Sequence, residues 1–368
     1  MKTYYLFILG CQMNYADANR LRRVFNSCGL KESEEKSADL AVVVACSVRQ
    51  KPVHRIYGKI RNWQKVGKKI WLTGCILPAD QPKLFEKVDR IFPINQINQI
   101  PKWLKLIQKS KIKNQNDNLK LKNNKNYLEI CPDFQIQKDG YYYLPIMTGC
   151  NNFCSYCAVP YCRGRETSRP LKKIIDEAKK AIKNGTKRIL LLGQNVNSYK
   201  IKNRRTKSDF VRLLEEIENL PRDFKFNFMT SHPKDLSQDL INFLAKSKKW
   251  TRQLHLPLQS GSDQILKLMN RRYTRAQFLR LISKLKIQIP NIIISTDIIV
   301  GFPGETKKDF DQTLKALKII KPQKVYVSQF SPRPGTAAAK LPDDVLPAEK
   351  KRRWKIINQL FNITKNDI

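Results

Sequence analysis

The stretch Leu144-Pro-Ile-Met-Thr-Gly-Cys150-Asn-Asn-Phe-Cys154-Ser-Tyr-Cys157 decides how this chain is read. An apolar run, Leu144–Met147, is followed at once by three thiols within eight residues. A loop after the first strand of a βα barrel lies at the mouth formed by the C-terminal strand ends, where barrel enzymes hold their chemistry. Three thiolates can hold three irons of a 4Fe–4S cluster and leave the fourth iron open to a substrate-like ligand. Two other readings recruit Cys162 as a fourth ligand. One is a structural zinc site built on Cys154-x-x-Cys157. The other is a fully ligated electron-transfer cluster. The spacing favours the open three-cysteine cluster, with Cys162 outside the ligand set.

Downstream, five more apolar strand candidates follow: Arg188–Leu192, Phe224–Met229, Gln253–Leu258, Ile292–Val300 and Val325–Phe330. Helical stretches separate them. Ser168-Arg169-Pro170 opens one, with Pro170 in the first turn, and Gly185 ends it. Ser208 opens another, and Ser237, Thr274 and Thr306 read as further caps. Six βα units make a curved, open barrel rather than the closed eight. A partial (βα)6 barrel is therefore expected over residues 136–368.

Upstream, Tyr4–Leu9, Leu40–Ala45 and Ile70–Thr73 are apolar runs ending in Gly10-Cys11, Cys46 and Gly74-Cys75. Helical patterns lie between them, such as Asp17–Ser27 closed by Gly29. Strands alternating with helices imply a parallel sheet, here an α/β domain of Rossmann or flavodoxin-like type over residues 1–107. The C-terminal ends of parallel strands share one edge, and ligands gather there. Cys11, Cys46 and Cys75 are thus expected to meet and hold a second cluster. A single cysteine at such a place would be read as packing. Cys28 and Cys131 have no such context. Residues 108–135, dense in Lys and Asn up to Asn126, are expected to form a linker.

The length of 368 residues suits two or three domains. Lys and Arg number 70 against 31 acidic residues, a net charge of +39. Such a surface favours a polyanionic partner, nucleic acid first and acidic membrane second. A Lys-rich composition accounts for part of it. No apolar run approaches the ~18 residues of a membrane span. Tyr4–Gly10 ahead of Cys11 is too short for a lipoprotein signal. Nine cysteines without a signal peptide point to a reducing compartment, the cytoplasm, where thiols bind metal rather than pair.

Taken together, the motifs resemble the radical S-adenosylmethionine (SAM) enzymes, and among them the methylthiotransferases of the MiaB type. The matching text is Gly10-Cys-Gln-Met-Asn14, Ala45-Cys-Ser-Val-Arg49, Gly74-Cys75, Gly149 through Cys157 and Arg163-Gly-Arg-Glu166. It continues with Leu192 through Tyr199, His255 through Ser262, Asp297 through Thr306 and Ser331 through Thr336. Gln12-Met13-Asn14, Ser47-Val48-Arg49 and Gln194–Tyr199 favour the adenosine-modifying branch. Related branches act on threonylcarbamoyl-adenosine or on a ribosomal-protein aspartate. Two departures stand out. Cys162 replaces a common Thr, and the chain stops at Ile368, where the family continues into a small RNA-binding barrel called TRAM.

The resemblance implies that a methylthio group is added to C2 of N6-isopentenyl (dimethylallyl) adenosine next to the anticodon, in the anticodon stem-loop of tRNA. It implies two 4Fe–4S clusters. SAM would chelate the open iron of the cluster on Cys150, Cys154 and Cys157 and be cleaved there to a 5′-deoxyadenosyl radical. The cluster on Cys11, Cys46 and Cys75 would carry or deliver sulfur, and a further SAM would supply the methyl group. An electron donor such as a flavodoxin or ferredoxin and a sulfur source are implied partners, and no membrane is. A non-catalytic RNA-binding protein with structural zincs is the alternative of another class.

Weaker expectations attach to single residues. Phe153 and Tyr156 are placed to pack on cluster or adenine, against ordinary loop packing. Gln194 and Asn197, after the second barrel strand, are candidates to bond SAM or the base. Val300 and Gly301 end the fifth strand, where bare backbone could approach the SAM adenine. His232 and His255 read as satisfied structural histidines more readily than as functional ones. Three basic segments are expected to grip tRNA where no TRAM module follows: Lys200, Lys202, Arg204, Arg205 and Lys207; Lys350, Lys351, Arg352 and Arg353 with Trp354 beside them; and the Lys-rich stretch between Lys102 and Lys125.

Overall fold

A computed structural model describes residues 1–46, 50–109, 127–201 and 209–361. The chain divides into two compact units. The first is Met1–Lys138 with Tyr161–Gly164, and the second is Asp139–Pro160 with Arg165–Ile368.

In the first unit, strands β1 (Thr3–Ile8), β2 (Lys31–Glu32), β3 (Leu40–Cys46), β4 (Lys69–Cys75) and β5 (Arg90–Ile91) form one parallel sheet of order β2-β1-β3-β4-β5. This is the flavodoxin-like doubly wound order, as expected. Its helices are α1 (Gln12–Ser27), α2 (Gln50–Lys65), α3 (Gln81–Phe85) and α4 (Ile100–Lys109). Every residue of β3 is buried, because helices cover both faces of a parallel sheet. On one face Ala41, Val43 and Leu72 pack against Ile56, Ile60 and Trp63 of α2. On the other, the indole of Trp71 meets the rings of Phe25, Phe92 and Trp103 at centroid distances of 6.0–6.2 Å. Helix α1 begins five residues before the expected Asp17. Its N-cap, Cys11, makes no side-chain cap hydrogen bond, so no capping residue marks the start. Tyr127 and Leu128 are buried and belong to this unit. Residues 110–126 of the expected linker and Ser47–Arg49 lie outside the described residues.

The second unit opens with β6 (Tyr142–Pro145) and a short antiparallel pair, β7 (Met147–Thr148) with β8 (Thr167–Ser168). The loop bracketed by β7 and β8 carries α5 (Val159–Arg163). Then come α6 (Leu171–Lys183), β9 (Arg188–Leu192), α7 (Asp209–Glu218), β10 (Lys225–Phe228), α8 (Gln238–Lys246) and β11 (Gln253–His255). The chain continues with α9 (Asp263–Leu268), α10 (Arg275–Gln288), β12 (Ile293–Val300), α11 (Lys307–Ile320), β13 (Lys324–Gln329) and α12 (Pro347–Phe361). The six barrel strands run parallel in two sheets, β6-β9-β10 and β11-β12-β13. Between β10 and the next segment a single parallel bridge, Phe226 with Trp250, joins them. The partial barrel is as expected, with a core in which Leu144, Leu191, Phe228 and Ile298 meet Leu213 and Leu317 of the helices.

Caps follow the sequence. Ser237, Thr274 and Thr306 each accept a backbone N–H three residues on, and Thr274 and Thr306 form full capping boxes. Pro170 takes the N-cap position of α6 rather than its first turn. Helix α7 starts at Asp209, and Ser208 lies outside the described residues. Among the described residues, no helix is long and apolar enough to cross a membrane.

Candidate metal centres

All nine cysteines are thiols rather than disulfides. Six of them gather in two sets of three, one set per unit.

In the second unit the loop after β7 turns at Gly149, whose φ of 80° favours glycine, and the Gly149 N–H donates to Gln194 Oε1 at 2.7 Å. Phe153 also takes a positive φ, 48°, which folds the backbone back between Cys150 and Cys154. The strained turn is held from outside. Asn270 Nδ2 donates to the Phe153 carbonyl at 2.9 Å, Ser155 N to Met269 O at 3.0 Å, and Ser155 Oγ to Leu268 O at 2.8 Å. Cys150 and Cys154 are buried. Burial, with Cys154 and Cys150 beside it, pushes the Cys157 thiol up to about 12, and burial raises Cys150 as well. The three sulfurs thus lie in one another's field. Arg271, buried, donates from Nη1 to Cys154 Sγ at 3.4 Å, from Nη2 to Pro257 O at 3.1 Å and from Nε to Tyr273 Oη at 2.9 Å.

In the first unit Cys11 follows β1, while Cys46 and Cys75 end β3 and β4 as register partners. These are the C-terminal strand ends around the β1/β3 switch point, where doubly wound sheets bind ligands. Gly10 (φ 123°) and Gly74 (φ 100°) make the turns possible. A Cβ on Gly74 would lie 2.6 Å from the Ala45 carbonyl oxygen, and one on Gly10 2.8 Å from Cys46 Cβ. Asn14 stitches the edge together, donating from Nδ2 to Leu9 O at 2.6 Å and Ala45 O at 2.8 Å. Burial pushes the Cys75 thiol up to about 12. Arg163 counters this, while Cys11 and Cys46 add to it. The Arg163 guanidinium donates from Nε to Cys75 Sγ at 2.9 Å, and from Nη2 to Asn14 Oδ1 at 3.0 Å and Asp17 Oδ2 at 2.8 Å.

Among the described residues, no three His, Cys, Asp or Glu side chains are gathered closely enough to hold one metal ion together. A 4Fe–4S cluster asks for something looser, one thiolate per iron. Each set offers three neighbouring thiols with a guanidinium on one sulfur, Arg271 on Cys154 and Arg163 on Cys75.

Several single-residue expectations are redirected by the structure. The Gln194 side-chain oxygen is taken by the Gly149 N–H, so it positions the Cys150 loop. Asn197 donates to the Asp235 carbonyl at 3.5 Å, and its own oxygen is buried without a hydrogen-bond partner among the described residues. The Val300 side chain belongs to the core. The open face of Gly301 is filled by Lys350, for a Cβ there would lie 2.3 Å from Lys350 Cγ. Phe153 is covered by the Arg165 guanidinium at 4.3 Å, and Tyr156 packs with Phe302 and Phe330. His232 is neutral, burial and then Arg271 pushing it down to about 2. His255 bridges Ser295 Oγ at 3.0 Å and Asp297 Oδ2 at 3.2 Å.

The basic segment on α12 needs correction. Lys350 and Arg353 are 5% and 4% exposed. Lys350 pairs with Asp343, and Arg353 pairs with Glu305 at 2.6 Å and Glu349 at 2.7 Å. Residues three apart share a helix face, and this face is the inner one. Neither side chain is available to a phosphate. Lys351 and Arg352 remain exposed, though Arg352 also pairs with Glu349 at 2.6 Å. The Trp354 indole donates to Val327 O at 3.1 Å. Lys200 is exposed, while Lys202, Arg204, Arg205 and Lys207 lie outside the described residues. Cys162 sits in the segment counted with the first unit. Sequence reasoning gave no role to Asn14, Asp17, Arg163 or Arg271. A buried-face Asp three residues after Asn14 on α1 was the one available signal.

Residues 144–317 match the Radical SAM superfamily, and residues 3–93 match Uncharacterized protein family UPF0004. The chain is similar to a tRNA-2-methylthio-N(6)-dimethylallyladenosine synthase of Clostridium botulinum (strain Okra / Type B1). Identity is 39% over 372 residues, covering 98% of this chain and 81% of that protein. A protein of the same name from Endomicrobium trichonymphae is 40% identical, over 96% of this chain and 82% of its own length. Among solved structures, the radical S-adenosylmethionine methyltransferase TsrM from Kitasatospora setae has the same fold, with a TM-score of 0.64 at 13% identity over 92% of this chain and 77% of that one.

Proposed function

This chain belongs to the radical SAM methylthiotransferases of the MiaB type, and we propose that it adds a methylthio group to C2 of N6-isopentenyl (dimethylallyl) adenosine next to the anticodon of tRNA. The observation that carries this reading is the pair of three-thiol sets, one at the C-terminal edge of the first unit's parallel sheet and one in the loop after β7, in a chain alike to such synthases over nearly its whole length. Cys150, Cys154 and Cys157 would hold one 4Fe–4S cluster and Cys11, Cys46 and Cys75 the other. Bound at these sites, such groups would supply one-electron chemistry toward SAM and a source of sulfur and methyl for the base.

The protein's own part is placement and shielding. Gln194, Asn270 and Ser155 fix the turn that presents Cys150 and Cys154. Arg271 neutralises charge at Cys154, and Tyr273 aims the guanidinium by accepting from its Nε. Asn14 and the two Gly-Cys turns do the same at the other site. The net charge of +39 suits an RNA substrate, and of the basic side chains expected to grip it, Lys200, Lys351 and Arg352 are the described ones that are exposed. An electron donor of the flavodoxin or ferredoxin kind, a sulfur source and a cytoplasmic setting complete the proposal.

Anaerobic reconstitution tests it. The protein should take up two oxygen-sensitive clusters. Replacing Cys150, Cys154 and Cys157 by Ser should remove one cluster and end SAM cleavage. Replacing Cys11, Cys46 and Cys75 should remove the other, leave SAM cleavage and stop sulfur insertion, read by nucleoside mass spectrometry of tRNA. Stoichiometric zinc without iron would refute the reading.

A further inference from the structure

The sequence motifs give Arg163 no role, yet its guanidinium is tightly committed at the Cys75 edge. Its side chain is 2% exposed, and that of its partner Asp17 is 0%. The guanidinium reaches one ligand sulfur, one amide and one carboxylate at 2.8–3.0 Å. Its Nη1 is buried without a hydrogen-bond partner among the described residues, and so is Asp17 Oδ1. An unmet buried N–H on a charged group is expensive, and native structures keep one where something outside the chain completes it. The segment that supplies Arg163, Tyr161–Gly164, is counted with the first unit although its neighbours in sequence are not. The three-thiol site of the first unit is therefore finished by a residue distant in sequence, 88 positions after Cys75.

We infer that Arg163 is a positioning residue for the group held by Cys11, Cys46 and Cys75, and that it raises the reduction potential of that group. The inference rests on the reading that these thiols carry a 4Fe–4S cluster. A hydrogen bond from a cation to a ligand sulfur favours the more negative, reduced state, so its presence moves the potential up. Asp17 opposes this by balancing the guanidinium charge, so the pair sets the potential between two limits. Asn14, which also approaches Cys11 and Cys75 sulfurs at 3.9 Å, fixes the orientation of the fork.

The test uses the full chain with Cys150, Cys154 and Cys157 changed to Ser, so that only one cluster contributes signal. In this background Arg163→Met, Arg163→Lys and Asp17→Asn are reconstituted anaerobically, iron is counted, and the midpoint is read by EPR-monitored redox titration. Arg163→Met should make reduction at least tenfold less favourable, a fall of about 59 mV for a one-electron couple. Arg163→Lys should fall by less, since an ammonium cannot bridge Cys75 and Asp17 with a planar fork. Asp17→Asn should shift the midpoint upward. Opposite signs for the two partners of one ion pair are not what a merely structural role would give. If the Met variant holds no iron, the Lys and Asn variants decide. Iron-loaded variants with the parent's midpoint would overturn the inference and leave the cluster reading standing. A parent chain without iron would overturn both.

Discussion

Gly301→Ala separates a packing role for this glycine from a cofactor role. The new methyl would sit 2.3 Å from Lys350 Cγ and 2.9 Å from Cδ, so the lysine must leave its seat. That seat buries the aliphatic stem beside Phe330, with the ammonium 5.3 Å from the ring centre. Three methylenes returned to water are worth about 2.4 kcal/mol at roughly 0.8 kcal/mol each. The partner Asp343 is 39% exposed, so losing that ion pair adds at most about 1 kcal/mol. Helix α12 should then lose about 2–3 kcal/mol of docking, and its amides should exchange with solvent roughly 30- to 150-fold faster. Native-state hydrogen exchange read by mass spectrometry on α12 peptides measures this. Lys350→Ala alone should cost a similar amount. In the Lys350→Ala background the methyl enters vacated space, so Gly301→Ala should add to α12 exchange only what the roughly 1–2 kcal/mol of a side chain at φ 68° contributes, well short of its effect with Lys350 present. Equal effects of the glycine change in both backgrounds, or none in either, would refute the reasoning. Weaker SAM binding with unchanged α12 exchange would return Gly301 to the cofactor role expected from its place at a strand end.

Two further outcomes follow from buried groups. Glu177 is 2% exposed and is met by Arg169 Nη2 at 2.6 Å and Tyr142 Oη at 3.1 Å. Glu177→Ala should destabilise the second unit by about 3–5 kcal/mol in urea, and Arg169→Met/Glu177→Leu by much less; a double variant as unstable as the single one would contradict this. His232, held down to about 2 by burial and then by Arg271, stays neutral when folded, while the unfolded chain protonates below its ordinary 6.5. Its contribution is therefore whole above pH 6.5 and shrinks as pH falls from there toward 2. Urea titrations from pH 7.5 to 5 should show a decline that His232→Gln lacks, and matching slopes in the two proteins would count against it.

The parts of this molecule legible in sequence are those that local chemistry marks. The sheet of the first unit and the six barrel strands show as apolar runs because parallel strands are covered on both faces. Four of the six candidate cysteines, Cys11, Cys46, Cys75 and Cys150, stand out because each follows such a run, and Gly10, Gly74 and Gly149 announce the turn before three of them. The basic run at 350–353 was misread because a count of charges does not say which face a residue takes. The partners that turn Arg353 inward lie at Glu305 and Glu349, and only the second is within a helical turn. Arg163 and Asp17 were invisible for the same reason, being 146 residues apart. Gln194 was singled out as a partner for SAM or the base, yet the donor its side chain serves is the Gly149 backbone, which no side-chain motif encodes.

The junction at Phe226 and Trp250 has a mechanical consequence. Elsewhere neighbouring barrel strands are zipped by runs of amide hydrogen bonds, but here two backbone hydrogen bonds, Phe226 N to Lys249 O at 2.9 Å and Thr251 N to Phe226 O at 3.1 Å, span the boundary. The indole of Trp250 reinforces it sideways, stacked on Phe228 at 6.2 Å and donating to Asn227 Oδ1 at 3.1 Å. Resistance to shear is therefore concentrated in one aromatic rivet instead of being shared along a ladder. Under tension the curved wall has a tear line, and the two halves on either side of it, each a complete three-stranded sheet, would part there before either frays.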